Sequence, residues 1–236
     1  MANSYFRFQK FTIHHDRCAM KVGTDGVLLG AWAEASEDAS ILDIGTGTGL
    51  IALMMAQRFP QAKVMALDVE TNAVAQATEN AANSPFANQV TIINHDVRTY
   101  NPQDKYDSIV CNPPFYSEDI LPSTDARRIA RNTSTLSFDA LAKCVARLLA
   151  PMGVFNVIIP TKAVSKFESL CLIQGLYVKR KCDIRTTHLK QPKRTMLTFT
   201  FSKTYNLLYE ELIILCEDGK YSPKYNALTN DFYLQK

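Results

Sequence analysis

The chain has 236 residues, of which 47% are hydrophobic and 21% are charged, so it can build a full apolar core and is not a disordered polypeptide. Its 26 Lys and Arg residues against 23 Asp and Glu residues give a formal net charge of +3. No stretch approaches the roughly 18 consecutive apolar residues that a membrane span requires. The first residues also lack the basic and apolar regions of a secretion signal. The composition therefore predicts a globular protein without helical membrane spans or a membrane partner.

Six cysteines are spread along the sequence, and no two of them have the two-residue gap that zinc and redox motifs use. They stand at positions 18, 111, 144, 171, 182 and 216. This spacing predicts free thiols in a reducing compartment, which indicates the cytoplasm. A metal site is not expected.

Predicted strands alternate with predicted helices along most of the chain. The aromatic stretch 6–13 predicts a strand or hairpin, and the turn residues 23–26 precede a predicted helix. Strands are predicted at 40–44, 62–67, 90–94, 106–111 and 154–159, and helices at 27–32, 50–59, 72–83, 138–149 and 162–174. Strands that alternate with helices pair in parallel through right-handed crossovers. The pattern predicts a doubly wound α/β fold.

The C-terminal third departs from this alternation. Residues 176–184 and 195–201 both favour extended structure, and a basic stretch containing Pro192 separates them. They predict an antiparallel hairpin that completes a mostly parallel, seven-stranded sheet. A further strand is predicted at 212–215. The sequence contains no linker or repeat, so we expect a single domain with an N-terminal extension (1–24), a core (25–203) and a tail (204–236).

A glycine-rich motif follows the first strand of the alternation. Residues 43–49 read Asp-Ile-Gly-Thr-Gly-Thr-Gly, and they lead directly into a predicted helix. Glycines at alternate positions let the backbone turn sharply and let a ligand lie against it. The dinucleotide fingerprint needs a third glycine where this chain has Leu50, so the motif disfavours an NAD-dependent oxidoreductase.

Acidic residues end the next two strands. Asp68, followed by Val69, ends the second strand, and a carboxylate there can accept both hydroxyls of a ribose. Asp96, followed by Val97, ends the third strand. With the glycine motif, these residues resemble the cofactor site of class I S-adenosylmethionine-dependent methyltransferases.

The resemblance implies a cofactor site for S-adenosylmethionine, which leaves as S-adenosylhomocysteine. It assigns Asp96 to the adenine amino group and implies a Rossmann-like fold. Lys21 and Asp25 could reach the methionine end of the cofactor, although surface and capping roles explain them equally well. The residues expected to bind the cofactor are Asp43, Gly45, Gly47, Gly49, Asp68, Val69, Asp96, Val97, Lys21 and Asp25.

The fourth strand ends in Asn112-Pro113-Pro114-Phe115. Prolines fix the backbone and donate no hydrogen bonds, so this loop offers rigid acceptors for a planar NH2 group, and Phe115 could stack on the ring that carries it. The loop resembles the Asn-Pro-Pro-aromatic signature of methyltransferases that modify adenine N6, guanine N2 or the glutamine amide. We predict that these four residues form the catalytic site.

Basic residues cluster in the predicted hairpin. The segment 179–203 contains eight basic residues and one acid, Asp183, whereas the rest of the chain has 18 Lys and Arg residues against 22 acids. Phosphate contacts of this kind supply affinity for nucleic acid rather than sequence choice. The residues predicted to contact RNA are Lys190, Lys193 and Arg194 in the hairpin, and Arg127, Arg128 and Arg131 after the Asn-Pro-Pro-Phe loop.

The whole chain resembles the bacterial tRNA adenine-N6 methyltransferases that modify an adenosine beside the anticodon of a valine tRNA. Residues 6–13, 14–32 and 231–234 carry this likeness together with the Asn-Pro-Pro-Phe loop. It implies a cytosolic enzyme with a tRNA substrate; a DNA substrate is not expected, and no obligate protein partner is evident.

Three other functions stay open on the residues alone. An rRNA guanine-N2 methyltransferase would hold its target by the same Asn-Pro-Pro-Phe geometry, although such enzymes often carry an additional domain. A protein glutamine N5-methyltransferase would not need the basic hairpin. A non-catalytic RNA-binding module could retain the fold, but the intact Asn112 and glycine motif argue against it.

Overall fold

A computed structural model describes residues 3–18, 21–114, 136–203 and 206–234. In chain order, the strands are β1 (Tyr5–Arg7), β2 (Thr12–His14), β3 (Ser40–Ile44), β4 (Lys63–Asp68), β5 (Val90–Asn94), β6 (Tyr106–Cys111), β7 (Leu149–Pro160), β8 (Tyr177–Arg185), β9 (Arg194–Thr200) and β10 (Leu208–Ile213). The helices are α1 (Thr24–Trp32), α2 (Leu50–Arg58), α3 (Thr71–Ala82), α4 (Phe138–Leu148), α5 (Val164–Ile173) and α6 (Pro223–Thr229).

The main sheet has the strand order β10-β8-β9-β7-β6-β3-β4-β5. Only β9 runs antiparallel to its neighbours, β7 and β8. The predicted doubly wound α/β fold with a C-terminal antiparallel hairpin is therefore confirmed. The predicted number of seven strands is wrong, because β10 from the tail pairs in parallel with β8 and adds an eighth strand at the edge.

Helices cover both faces of the sheet, as the near-continuous apolar strands require. One core cluster joins α1, α2 and α6 to one face, and a second joins α4 and α5 to the other. Ser137 caps the N-terminus of α4 by accepting a hydrogen bond from the Ala140 amide, and Ser222 caps α6 through the Tyr225 amide. These layers make the sheet a rigid support for the loops at its carboxyl edge.

The two ends of the chain pack together on the outside of one helix layer. Strands β1 and β2 form the short hairpin expected near the N-terminus. Gln9 Nε2 donates hydrogen bonds to the carbonyls of Asn230 (2.6 Å) and Tyr233 (2.7 Å) in the tail. The rings of Phe8 and Tyr233 stack with centroids 6.0 Å apart. The tail thus holds the N-terminal hairpin against the core.

All six cysteines are free, as predicted, and four of them are buried. None of the helices in the described ranges combines the length and apolarity needed to cross a bilayer.

Candidate active site

The candidate site lies at the carboxyl edge of the sheet, where its winding reverses. The chain moves from β3 outward through β4 and β5, and then returns to the other side of β3 through β6 and β7. Ligands of doubly wound sheets bind at such a switch point. The register pairs Ile44 with both Leu67 and Cys111, so the carboxyl ends of β3, β4 and β6 lie within one residue of the same level.

The glycine loop connects β3 to α2 through three residues with positive φ. Gly45 has φ 70° and Gly47 has φ 57°, values that L-residues rarely adopt. A Cβ at either position would meet no atom within 4 Å among the described residues, so open space lies beside this backbone. At Gly49, where φ is 82°, a Cβ would instead lie 3.3 Å from Ala77 Cβ, so a larger residue would press against α3. The loop therefore offers a cradle that larger residues would fill.

The end of β4 holds the glycine loop in place. The amides of Gly45 and Thr46 donate to the Leu67 carbonyl at 2.9 and 3.0 Å, and the Gly47 amide donates to Asp68 Oδ2 at 2.8 Å. Asp68 Oδ1 accepts from the Glu70 amide at 2.9 Å. A carboxylate has about four acceptor sites, so Asp68 retains capacity for two ribose hydroxyls. Val69, which follows it, is 50% exposed.

Asp43 lies at the base of the loop with no exposed surface. Its Oδ2 accepts a hydrogen bond of 2.6 Å from Thr46 Oγ1. Burial is the main cause that raises the pKa of this carboxyl from 3.8 to about 7; the Asp68 charge contributes in the same direction, and the Thr46 hydrogen bond opposes the shift. Asp43 therefore supports the loop from within.

Asp96 is already engaged by a neighbouring cation. Arg98 binds both of its carboxylate oxygens through the side chain, with contacts from 2.6 to 3.0 Å, and the Arg98 amide donates to Oδ1 at 2.9 Å. These hydrogen bonds lower the pKa of Asp96. A ligand amino group at this carboxylate would share it with Arg98 or displace the guanidinium. The adjacent Val97 is buried in the core.

Asn112 follows β6 directly and stands beside the glycine loop. Because Cys111 pairs with Ile44, Asn112 occupies the level of Gly45. Its Oδ1 is buried and has no hydrogen-bond partner among the described residues. Pro113 is buried and Pro114 is exposed. An acceptor of this kind is costly to leave unpaired, so it is suited to a donor that arrives with a ligand. The predicted Phe115 lies outside the described residues.

A second group of predicted cofactor residues stands near the start of α1. Lys21 is exposed, and Asp25 forms an ion pair with Arg194, whose Nε lies 2.7 Å from Asp25 Oδ2. Arg194 begins β9, so this pair joins the basic hairpin to α1. The structure thus brings a predicted cofactor residue and a predicted RNA residue into direct contact.

Most of the basic hairpin is neutralised by acids from other elements. Lys179 pairs with Glu34 (2.6 Å), Lys181 with Glu168 (3.5 Å) and Arg185 with Glu211 (2.8 Å). Arg180 lies 2.5 Å from Glu210 and stacks on the Trp32 ring at 4.1 Å. The sequence count of charges therefore overstates this segment as a phosphate-binding strip.

The tip of the hairpin carries two lysines whose charges are not balanced by an ion pair among the described residues. Lys190 and Lys193 are exposed and form no ion pair within the described part of the chain. Strands β7 and β8 are both antiparallel to β9, so β8 runs in the same direction as the parallel strands of the sheet. The tip follows the carboxyl end of β8 and therefore lies at the same edge of the sheet as the glycine loop. Arg127, Arg128 and Arg131 lie outside the described residues.

Sequence reasoning missed three residues that shape this edge. Thr46 braces the loop through Asp43, and Asn80 of α3 contacts it at Thr48. Burial and, to a smaller extent, the Asp68 charge raise the pKa of the Cys18 thiol to about 11. A Thr inside the glycine motif was a visible signal, whereas Asn80 and Cys18 are brought near only by the tertiary fold. Among the described residues, no group of three or more His, Cys, Asp or Glu side chains could hold a metal ion.

Comparisons with known proteins agree with this architecture. The sequence model of the family "Methyltransferase small domain" matches residues 20–137. The fold is similar to that of a predicted O-methyltransferase from Agrobacterium tumefaciens, with a TM-score of 0.70 at 16% identity, covering 88% of this chain and 96% of the other. That likeness shows the fold alone.

Two curated relatives match along their whole length. A protein of Phocaeicola vulgatus is 45% identical over 234 residues, covering 99% of both chains, and one of Bacteroides fragilis is 43% identical over 238 residues, covering 100% of both. Each is named tRNA1(Val) (adenine(37)-N6)-methyltransferase. This chain belongs to the same family, the tRNA1(Val) (adenine(37)-N6)-methyltransferases.

Proposed function

We propose that the protein transfers a methyl group from S-adenosylmethionine to N6 of an adenosine in tRNA, beside the anticodon of tRNA1(Val), and releases S-adenosylhomocysteine. The observation that carries this proposal is the buried, unpaired Oδ1 of Asn112 among the described residues, next to the glycine loop. An exocyclic amine supplies the donor that this acceptor lacks. The family relationship supports adenine as the base and tRNA as its carrier.

Asn112 and Pro113 would bind the amine and direct its lone pair. The lone pair of an exocyclic amine is delocalised into the ring, so the amine is a poor nucleophile. Two acceptors, Asn112 Oδ1 and the Pro113 carbonyl, would draw its hydrogens toward a tetrahedral arrangement and aim the lone pair at the methyl group. The proton can leave after transfer, so no strong base is required. Positioning can supply up to about 7–11 kcal/mol of the barrier.

The cofactor would lie along the glycine loop. The open space beside Gly45 and Gly47 and the remaining acceptor capacity of Asp68 fit a nucleoside with its ribose at the end of β4. Asp96 and Val97 follow β5, where an adenine would lie, and Lys21 and Asp25 would contact the methionine end. When bound, S-adenosylmethionine supplies an electrophilic methyl group on its sulfonium. The reaction as proposed needs no metal.

The hairpin tip would contact the tRNA backbone. Lys190 and Lys193 are exposed at the catalytic edge, so they can bind phosphates while the target base occupies the pocket. Arg194 would act mainly through Asp25. Phe115 of the Asn-Pro-Pro-Phe loop would stack on the target base, and Arg127, Arg128 and Arg131 would contact the RNA. Free thiols and a tRNA substrate together favour the cytoplasm.

The test of this proposal is to identify the methylated nucleoside. The protein would be incubated with labelled S-adenosylmethionine and separate pools of tRNA, rRNA and DNA, and the products digested to nucleosides. We expect labelled N6-methyladenosine from the tRNA pool alone. Labelled N2-methylguanosine would support the rRNA guanine-N2 alternative. In a parallel incubation with a protein pool, label on glutamine would support the N5-methyltransferase alternative.

A further inference from the structure

The side chain of Asn80 on α3 connects the glycine loop to the N-terminal hairpin. It is 1% exposed, and its amide nitrogen Nδ2 donates to the carbonyls of Thr48 and His14, each at 2.9 Å. Its Oδ1 accepts from the His14 amide at 3.0 Å. One buried amide therefore satisfies three backbone groups from two separate segments.

The bond to Thr48 fixes the last peptide of the glycine loop. Thr48 precedes Gly49, the N-cap of α2, so its carbonyl lies outside the hydrogen-bond ladder of that helix. Thr48 is itself buried, and a buried carbonyl without a partner is strongly unfavourable. Asn80 thus sets the orientation of the peptide at which the loop enters α2. The end of β4 holds the other side of the loop through Gly45, Thr46 and Gly47.

The bonds to His14 hold the chain that continues toward the cofactor site. The Asn80 amide binds both the N–H and the C=O of His14, as a neighbouring strand would. Three residues further on, the Arg17 amide donates to Gln76 Oε1 at 3.2 Å, and the Arg17 guanidinium pairs with Glu79 at 3.0 Å. Cys18 follows, and the charge of Asp68 is one cause of the raised pKa of its thiol. Helix α3 therefore anchors the segment that leads from the hairpin to Cys18.

We infer that Asn80 is a positioning residue for the methyl donor, which couples the order of the N-terminal hairpin to the conformation of the glycine loop. This inference rests on the proposed cofactor site. Coupling of this kind is reciprocal. A nucleoside that fixes the glycine loop should slow opening of the hairpin at His14, and loss of the Asn80 bonds should weaken binding of that nucleoside.

The experiment compares two variants with the wild-type protein. Asn80→Asp keeps the size of the side chain and one acceptor but removes the donor to both carbonyls. Asn156→Asp is the control, because the buried Asn156 of β7 donates through Nδ2 to the Glu34 carbonyl at 3.1 Å, so the same substitution removes a buried donor away from the N-terminal hairpin and the glycine loop. Calorimetry would give the Kd for S-adenosylhomocysteine, and thermal unfolding would give the Tm of each protein.

We expect Asn80→Asp to raise the Kd for S-adenosylhomocysteine by on the order of tenfold, and to raise the KM for S-adenosylmethionine more than it lowers kcat. Asn156→Asp should lower the Tm and leave both constants unchanged. Equal Kd values for Asn80→Asp and wild type would overturn the inference, as would an equal loss of affinity in the control.

A measurement on the wild-type protein covers the case in which Asn80→Asp does not fold. Hydrogen exchange at the His14 amide should slow when S-adenosylhomocysteine is added, and exchange that is indifferent to the ligand would refute the coupling. If the wild-type protein binds no S-adenosylhomocysteine at all, the proposed function fails first. If the wild-type protein binds S-adenosylhomocysteine but neither His14 exchange nor the Kd of Asn80→Asp changes, only the positioning role of Asn80 is refuted.

Discussion

The guanidinium of Arg194 lies 2.7 Å from the carboxylate of Asp25 and ties the basic hairpin to the first turn of α1. Arg194 is thus engaged before any RNA arrives. Its neighbours at the hairpin tip, Lys190 and Lys193, have no such partner within the described ranges. All three residues were predicted to contact RNA. In the structure Arg194 connects the hairpin to α1, whereas Lys190 and Lys193 are exposed cations.

The first prediction separates these two roles. Arg194→Gln leaves Asp25 without its cation, so it should weaken binding of S-adenosylhomocysteine as well as binding of tRNA. Because both side chains are about one-third exposed, the loss of folding stability should stay below about 1 kcal/mol. Calorimetry and denaturant unfolding would measure the two effects. If the variant binds the cofactor normally and loses only tRNA affinity, Arg194 contacts RNA directly and does not act through Asp25.

The second prediction concerns the tip alone. Replacing Lys190 and Lys193 with Gln should weaken tRNA binding and lower the slope of log K against log salt by about 1–2, with no effect on the cofactor. Lys63 and Lys105 provide the control, because both are exposed and lie at the amino ends of β4 and β6, at the opposite edge of the sheet. The same replacements there should leave the slope unchanged, and an equal drop in both pairs would mean that only net charge matters.

The third prediction uses the strain at Gly47. At φ 57° an alanine costs roughly 1–2 kcal/mol, and its methyl group would project into the open space beside the loop. We expect Gly47→Ala to lose S-adenosylhomocysteine binding in addition to this stability. Gly175→Ala is matched in strain, since Gly175 has φ 78° and equally open surroundings but follows α5. It should lose similar stability and bind normally. Normal binding of S-adenosylhomocysteine by Gly47→Ala would show that the cofactor does not lie against this part of the loop.

The fourth prediction follows from the raised pKa of Asp43. The folded protein holds a proton on Asp43 between its ordinary pKa of 3.8 and about 7, whereas the unfolded chain does not. The contribution of Asp43 to stability therefore falls as pH rises through this window. Asp43→Asn cannot ionise, so its stability relative to wild type should increase with pH and then level off. Urea unfolding of the ligand-free proteins across this range would test it, and a constant difference would contradict the assignment.

Most of the fold could be predicted because its signals are local. The strand Ser40–Ile44 was predicted with its observed bounds, and the alternation of strands and helices determined the sheet. The tail was predicted less well. Its strand lies at 208–213 rather than 212–215, and helix α6 was missed although Ser222 and Pro223 form an N-cap and a first helical position. In a short tail these cues were outweighed by turn residues and aromatic residues.

The candidate site divides in the same way. The glycine motif, Asp68 and Asn112 follow their strands directly, so topology alone brings them to one edge. The partners of the basic hairpin could not be foreseen. Glu34 is distant in sequence, Glu168 and Glu210 lie on the flanking elements α5 and β10, and all three meet the hairpin only through tertiary packing. The count of charges along the chain therefore predicted a phosphate-binding strip over the whole segment 179–203, whereas the structure, in the part of the chain that it describes, leaves only the lysines at the hairpin tip available for such contacts.

The most direct test of the proposed site is the effect of Asn112→Ala on methyl transfer and on cofactor binding in one preparation. Single-turnover transfer to tRNA1(Val) should fall by at least about 100-fold, the size of effect seen when a preorganised polar group is removed from a reacting centre. The Kd for S-adenosylhomocysteine should be unchanged, because Asn112 would contact the amine rather than the cofactor. Transfer at the wild-type rate would contradict the catalytic role of Asn112, and loss of cofactor binding would contradict the division of the site between the glycine loop and the end of β6.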